Sequence, residues 1–286
     1  MSGTTMTDAP YGEERQRQGG DMAVDVVGVG LAVVDLKATV SSIPKEEETV
    51  LAFDYHKHHG GPVGNALVTL HRLSDGDSTP FSIVLVDATT KKRSIVFNPG
   101  CALMTPADAI DAGAVKSAKL LHVDIYTPAV TAACEAAKSA GLPISVDADA
   151  LFPGLEEILE LADIFIPARE IACELVGKQD PVLAAERLLR KYRLKVVGVT
   201  RGREGSVTIT QEGTVSAPGF EIDAVDTTGA GGVYQGAFLY GYLKGWPTNQ
   251  IARFANAAAA LMCSGMNGWD DIPTLRQVEK FLKERP

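Results

Sequence analysis

The sequence lacks the hallmarks of several protein classes. It contains no run of about 18 consecutive apolar residues, so no transmembrane helix is predicted. Residues 1–20 hold no apolar stretch of the kind that a secretory signal needs. Lys and Arg number 27 against 36 Asp and Glu, which gives a net charge of −9 without a dense basic run. Because nucleic-acid binding needs a basic face, this balance argues against nucleic acid as the main partner, and no membrane partner is predicted.

Cysteines are also few, and none of them forms a C-x-x-C pair. The chain has four, far apart in sequence: Cys101, Cys134, Cys173 and Cys263. Such spacing favours free thiols in a reducing compartment over a disulfide or zinc framework. A cytoplasmic location is therefore predicted.

What the sequence does contain is enough apolar material for a large core. Of its 286 residues, 45% are hydrophobic and 22% are charged. Residues 1–21 are polar and Gly-rich and predict a disordered tail. Within residues 22–286, apolar β-rich runs alternate with helical patterns. This alternation predicts an α/β fold, a doubly wound and mainly parallel sheet flanked by helices.

Two segments interrupt that alternation. Residues 31–59 show partial period-2 alternation without helix caps, and residues 79–98 read as a pair of strands around a polar turn. Neither segment fits a crossover helix. We predict that they form a small β-lid beside the main sheet, placed to cover a ligand at the carboxyl ends of its strands.

A glycine-rich turn near the C-terminus is the most informative segment. It reads D-T-T-G-A-G-G over residues 226–232 and leads into a helix. Small residues and the unpaired N–H groups of a helix start can together form an anion site. Gly236 and Gly241 inside the helix predict close packing, since each costs roughly 1 kcal/mol relative to Ala. An ordinary strand-to-helix turn is the alternative.

Two further segments carry glycines next to polar groups. Residues 200–205 read T-R-G-R-E-G between two predicted strands, where Thr200 and Arg201 could contact phosphate, or the segment could be a plain hairpin loop. Gly60 and Gly61 precede a predicted helix near Pro62. Asn65 in its first turn could bind a ligand or cap the helix.

Together these motifs carry a family resemblance. G-x-x-x-x-D at residues 30–35, Gly60-Gly61 with Asn65, T-R-G-x-x-G at residues 200–205 and D-T-T-G-A-G at residues 226–231 occur in the order found in the ribokinase/PfkB sugar kinases. The sequence resembles that family from about residue 22 to the C-terminus. The resemblance implies a ribokinase-like fold with a β-lid that transfers the γ-phosphate of ATP to a sugar hydroxyl, with Mg²⁺ as a further cofactor.

The resemblance also implies roles for individual residues. The sugar-binding positions are Asp35, Gly60, Gly61 and Asn65. The nucleotide-binding positions are Thr200, Arg201, Gly202, Gly205 and Asn256. The positions of the catalytic anion hole are Gly229, Ala230, Gly231 and Gly232. Phosphoryl transfer depends on positioning and on charge neutralisation, so this hole is expected to be central to rate.

The chain departs from the family pattern at three places. The catalytic base, an Asp in the family, is replaced by Gly232, which predicts lost turnover with binding largely spared. In the magnesium-associated N-x-x-E motif the Asn is replaced by Ala168, and Glu170 is the predicted metal contact or a solvated acid at a helix start. After Leu73 a strand and a helix of the family pattern are predicted to be deleted, which should leave unpaired edges near the middle of the sheet unless the sheet closes differently.

The sequence therefore predicts an ATP-dependent sugar kinase of the PfkB type that is impaired by loss of its base. The alternative is a catalytically silent protein that binds a sugar or a nucleotide. The predicted partners are a small-molecule sugar and ATP, with a homodimer formed through the lid. The sequence does not name the sugar.

Overall fold

The fold was analysed in a computed structural model of the chain. The structure describes residues 26–30, 33–44, 50, 52–61, 63–66, 69, 82–87, 93–97, 106–265 and 268–285. The predicted tail at residues 1–21 and the segment around Leu73 where the deletion was predicted lie outside these residues.

Within the described residues, the main sheet has seven strands. In chain order they are β1 (Val26–Val29), β6 (Leu120–Val123), β7 (Ile144–Val146), β8 (Ile164–Phe165), β9 (Val196–Thr200), β10 (Ser206–Thr210) and β11 (Gly213–Ala217). They lie side by side in that order. All pairings from β1 to β9 are parallel, and β10 pairs antiparallel with both of its neighbours. The predicted mainly parallel α/β sheet is confirmed.

Helices cover both faces of this sheet. They are α1 (Ala112–Ser117), α2 (Pro128–Ser139), α3 (Leu155–Leu159), α4 (Arg169–Val176), α5 (Pro181–Lys191), α6 (Ala230–Leu243), α7 (Thr248–Cys263) and α8 (Leu275–Lys283). Successive strand residues point to opposite faces. Leu121 and Phe165 accordingly pack into a core with α1 to α5, while Leu120 and Ile164 pack into a second core with α6 to α8.

A second sheet of four strands is formed by the two segments that interrupt the β-α alternation. Its strands are β2 (Val33–Val40), β3 (Ala52–Gly60), β4 (Ser82–Asp87) and β5 (Arg93–Phe97). The order is β3-β2-β4-β5, with β2 and β4 parallel and the other pairs antiparallel. This sheet is called the lid sheet below. The bounds of the disordered tail and of the domain stay a prediction.

Strand β1 lies at one end of the main sheet. All four of its residues are half-buried, whereas every residue of its neighbour β6 is buried. The described sheet runs from β1 to β11 without a break. Among the described strands the sheet pairs continuously with β1 at one end, which fits the alternative that the sheet closes differently. The deletion after Leu73 itself stays a prediction.

Glycines inside α6 allow close helix packing, as predicted. A β-carbon placed on Gly236 would lie 2.5 Å from the carbonyl oxygen of Ala66. One placed on Gly241 would lie 3.0 Å from side-chain carbons of Ile251 and Trp246. Within the described ranges, no helix is long and apolar enough to cross a bilayer.

The main sheet also buries a histidine. His122 on β6 has no solvent exposure, and burial lowers its pKa to about 4, against a smaller opposing effect of the Ser145 backbone. A base that resists protonation in the fold makes stability depend on pH.

We expect Gly236→Ala to destabilise the protein by about 1–3 kcal/mol, because the added methyl group collides with a backbone carbonyl that a side-chain rotation cannot move. Gly241→Ala meets only side-chain carbons and should cost less. Urea denaturation of the two variants checks this order. An equal or larger loss at position 241 would contradict the packing described here.

We expect acid to destabilise the fold through His122. The unfolded chain binds the proton near the ordinary pKa of 6.5 and the folded chain only near 4. The contribution of neutral His122 to the free energy of unfolding is therefore fully present above about pH 6.5. It falls by on the order of 3 kcal/mol as the pH drops to about 4. Denaturation curves across this window should be flatter for His122→Leu. Equal slopes for both proteins would refute the assignment.

Candidate functional site

The glycine-rich turn lies immediately before α6. Gly229 is the N-cap and has φ = 81°, a left-handed conformation that favours glycine. The first hydrogen bond of the helix runs from the Val233 N–H to the Gly229 carbonyl at 3.0 Å, and the Ala230 N–H bonds to Thr227 O at 3.3 Å. Among the described residues, no backbone acceptor bonds the N–H groups of Gly231 and Gly232. That these two amides at the helix start bind an anion stays a prediction.

Asp226 fixes the shape of this turn. Its Oδ1 accepts hydrogen bonds from the backbone N–H of Thr228 at 3.0 Å and from the Thr228 hydroxyl at 2.7 Å. Its own N–H donates to the carbonyl of Cys263 at 3.2 Å, at the end of α7. These contacts tie the turn to its own helix start and to the neighbouring helix.

The other oxygen of Asp226 binds Lys37, which lies on lid strand β2. The Lys37 ammonium donates to Oδ2, and the two side chains are 2% and 7% exposed. Burial alone would raise the pKa of Asp226, but the hydrogen bond and charge of Lys37 together with the Thr228 contacts outweigh it and lower that pKa. The lid sheet and the glycine-rich turn are therefore joined by a buried ion pair.

The predicted sugar-binding residue Asn65 contacts the same turn. A β-carbon placed on Gly229 would lie 3.1 Å from the Asn65 amide nitrogen. Asn65 is buried, its N–H donates to Gly61 O at 2.7 Å, and Gly61 has φ = 92°. The structure thus brings Gly61 and Asn65 next to the predicted anion hole.

The remaining sugar-side predictions lie on the lid sheet. Asp35 on β2 is opposite His58 of β3 and Ser82 of β4, and Gly60 ends β3 opposite Val33. Their roles stay predictions.

The predicted nucleotide loop joins β9 to β10. Gly202 and Gly205 both have positive φ, and a β-carbon on Gly205 would lie 2.2 Å from Ala217 O. The Arg201 guanidinium lies 3.2 Å from the Ser216 hydroxyl and 3.4 Å from the carbonyls of Glu204 and Ser206. Arg201 therefore stabilises the loop itself, and its contact with phosphate stays a prediction.

Asn256 on α7 also supports this region from within. Its side-chain amide nitrogen donates to the carbonyls of Ala217 at 3.0 Å and Pro218 at 3.1 Å. The chain after β11 is held in this way against the loop, where a β-carbon on Gly219 would lie 2.3 Å from Arg203 O. The side-chain amide nitrogen of Asn256 is thus already used by backbone carbonyls. Its contact with adenine stays a prediction.

Glu170, the predicted magnesium contact, is exposed in the first turn of α4. Ala168 just before it forms a parallel bridge with Thr200, so Glu170 lies near the nucleotide loop. The part of the chain that the structure describes contains no group of three His, Cys, Asp or Glu placed to hold a metal. These residues fit an ion carried largely by phosphate oxygens and water, which is how Mg²⁺ usually binds.

Sequence reasoning missed three acids at the edge of the sheet. Asp124 follows β6, and Asp147 and Asp149 follow β7. The Val63 N–H donates to Asp124 at 3.0 Å, and a β-carbon on Gly30 would lie 1.9 Å from the Asp124 carboxylate. Asp149 lies beside Gly231 of the turn. The available signal was their position directly after apolar parallel strands, where ligands bind in such sheets.

Lys37 was missed as well, for a different reason. It is a charged residue in the interior of a strand that was predicted only as part of a lid. Its partner Asp226 is far away in the sequence, so no local pattern indicates the pair.

Comparison with known proteins assigns this architecture. The profile of the pfkB family carbohydrate kinases matches residues 74–275. The ATP-dependent ribose-1-phosphate kinase of Halopiger xanaduensis is 27% identical over 275 residues, which cover 94% of this chain and 88% of that protein.

Solved structures agree on the fold. An Arabidopsis thaliana ribokinase complexed with ribose and ATP superposes with a TM-score of 0.77 and 24% identity, covering 92% of this chain and 99% of that one. A putative ribokinase II from E. coli in complex with ATP and Mg²⁺ gives a TM-score of 0.76 and 20% identity, covering 92% and 100%.

We expect Lys37→Met to destabilise the protein by about 3–5 kcal/mol, because it leaves the Asp226 carboxylate buried without its charged partner. Asp226→Asn should also be costly. The double variant should lose less than the sum of the two single losses. A double-mutant cycle by urea denaturation measures this coupling, and additive losses would contradict the pair.

Proposed function

Since the chain belongs to the pfkB family of carbohydrate kinases, we propose that it transfers the γ-phosphate of ATP to a sugar hydroxyl at a rate impaired by the glycine at position 232. The observation that carries this proposal is the junction of Asn65 with the glycine-rich turn. Asn65, which is predicted to bind the acceptor, lies beside Gly229, the first residue of the turn that is predicted to hold the transferring phosphate. Phosphoryl transfer needs this proximity above all.

Each group in the junction has a physical task. The N–H groups of Gly231 and Gly232 stabilise negative charge that spreads over the transferring phosphoryl oxygens. The helix dipole of α6 adds to this effect at the same point. Asn65, with Asp35, Gly60 and Gly61 on the sugar side, orients the acceptor hydroxyl. These residues position the reactants, and positioning is retained when the base is lost.

The nucleotide lies on the side of β9 in this proposal. Thr200, Gly202 and Gly205 form the loop along its phosphates, with Arg201 and Asn256 holding that loop in shape. Mg²⁺ would neutralise phosphate charge, with Glu170 as its contact from the protein. The Arabidopsis thaliana and E. coli structures named above contain ATP, and the second also contains Mg²⁺. A homodimer through the lid sheet and a cytoplasmic location remain predictions.

The second candidate function is a silent protein that binds a sugar or nucleotide. Gly232 favours it, because a kinase without a general base loses about 10²–10⁴-fold in rate. The relatives named above also differ in the sugar that their names print, which is ribose 1-phosphate for one and ribose for the other. An acceptor panel should therefore include pentoses, hexoses, nucleosides and their phosphates.

Gly232→Asp tests the proposal. Gly232 is buried in the first turn of α6 and does not have a positive φ, so the backbone admits a side chain there. We expect kcat to rise by about 10²-fold, within the range that a general base supplies. KM should change little. The measurement is ADP release across the acceptor panel.

Gly232→Asn is the matched control, because it adds the same bulk without a proton acceptor. It should not raise kcat. The kinase proposal fails if neither the natural chain nor Gly232→Asp phosphorylates any acceptor. Sugar or ATP binding in a thermal-shift assay would then favour the silent binding protein.

A further inference from the structure

Two acids after β7 face one side of helix α6. A β-carbon placed on Gly231 would lie 3.4 Å from the carboxylate of Asp149. Four residues further along the helix, Gln235 faces Asp147. Residues i and i+4 share a helix face. Asp149 therefore lies over the first turn of α6 and Asp147 one turn deeper.

The two acids differ in environment. Asp147 is 1% exposed, and among the described residues its Oδ2 has no hydrogen-bond partner. Burial first, and then the charges of Asp149 and Asp124, raise its pKa well above the usual range, although Gln235 and the Ala148 backbone act against this. Asp149 is exposed. Neighbouring carboxyls in unlike environments are a recurring arrangement in acid-base sites.

Strand order places Asp149 between the Asn65 segment and the predicted nucleotide loop. The sheet runs β1-β6-β7-β8-β9, and a β-carbon on Gly30, after β1, would lie 2.8 Å from Val63 of the Asn65 segment, while the predicted nucleotide loop follows β9. Strand β7 lies midway. A carboxylate at its end, next to the amides of the turn, is positioned where the phosphoryl group passes from donor to acceptor.

Two other acids near the turn, Asp226 and Asp124, serve the fold. Asp226 binds Thr228 through one oxygen and Lys37 through the other. Asp124 accepts the Val63 N–H and fills the space beside Gly30. Both are buried. Asp149 is open to solvent and lies beside Gly231, so it can release a proton after taking one.

We propose that Asp149 is the proton acceptor for phosphoryl transfer in this chain, in place of the acid missing at position 232. This inference rests on the proposed kinase function. In the step, the acceptor hydroxyl gives its proton to the Asp149 carboxylate while its oxygen bonds to the γ-phosphorus. The bond from that phosphorus to the bridging oxygen of ATP breaks, and ADP leaves. Asp149 then loses the proton to water.

A four-protein cycle tests this assignment, with the natural chain, Asp149→Asn, Gly232→Asp and the double variant. Asp149→Asn should lower kcat by about tenfold or more, within the scale of general-base catalysis, while KM for ATP and acceptor stays unchanged. In the Gly232→Asp background the same change should alter kcat by less than about twofold, since the restored acid takes over the proton. The charge-matched control is Glu157→Gln on α3, an exposed acid that should leave kcat unchanged.

The outcomes separate this inference from the proposed function. If the natural chain turns over and Asp149→Asn matches it, Asp149 is not the base although the kinase function stands. If only the variants carrying Gly232→Asp are active, the inference also fails. If Asp149→Asn raises the Mg²⁺ concentration needed for half-maximal rate but regains full kcat at saturating Mg²⁺, Asp149 contacts the metal instead. If none of the four proteins turns over, both the inference and the proposed function fail.

Discussion

One buried residue, Asp226, holds together the glycine-rich turn, the end of α7 and the lid sheet. It shapes the glycine-rich turn through Thr228, its backbone attaches the turn to the end of α7, and it binds Lys37 of the lid sheet. A buried ion pair of this kind gives geometry rather than net stability, because desolvation offsets much of the attraction. The arrangement places the amides of Gly231 and Gly232 at the start of α6, where a helix attracts negative charge.

Much of the fold is written in local patterns. Apolar runs such as residues 196–200 and 120–125 identify buried parallel strands, and small residues after Asp226 identify the turn. Gly236 could be assigned to close packing because a glycine inside a helix needs a reason. The family membership and fold class follow from these signals. The fold also explains why Asn65 and the turn meet, since both lie at the carboxyl ends of the strands.

The remainder depends on contacts that sequence distance conceals. Lys37 reaches Asp226 across most of the chain, and Asp149 meets Gly231 only because β7 and α6 adjoin. Asn256 was assigned to a ligand pocket by resemblance, yet its amide is used by the carbonyls of Ala217 and Pro218. The position of β1 at one end of the described strands follows from the strand order, which no local pattern supplies.

The contact between Gly236 and Ala66 has a mechanical consequence. A helix carbonyl packed against a glycine leaves no space for sliding, so α6 and the helical segment at residues 63–66 move as one body. The segment that carries Asn65 and the glycine-rich turn that leads into α6 therefore keep a fixed separation, set by the space that one missing β-carbon leaves.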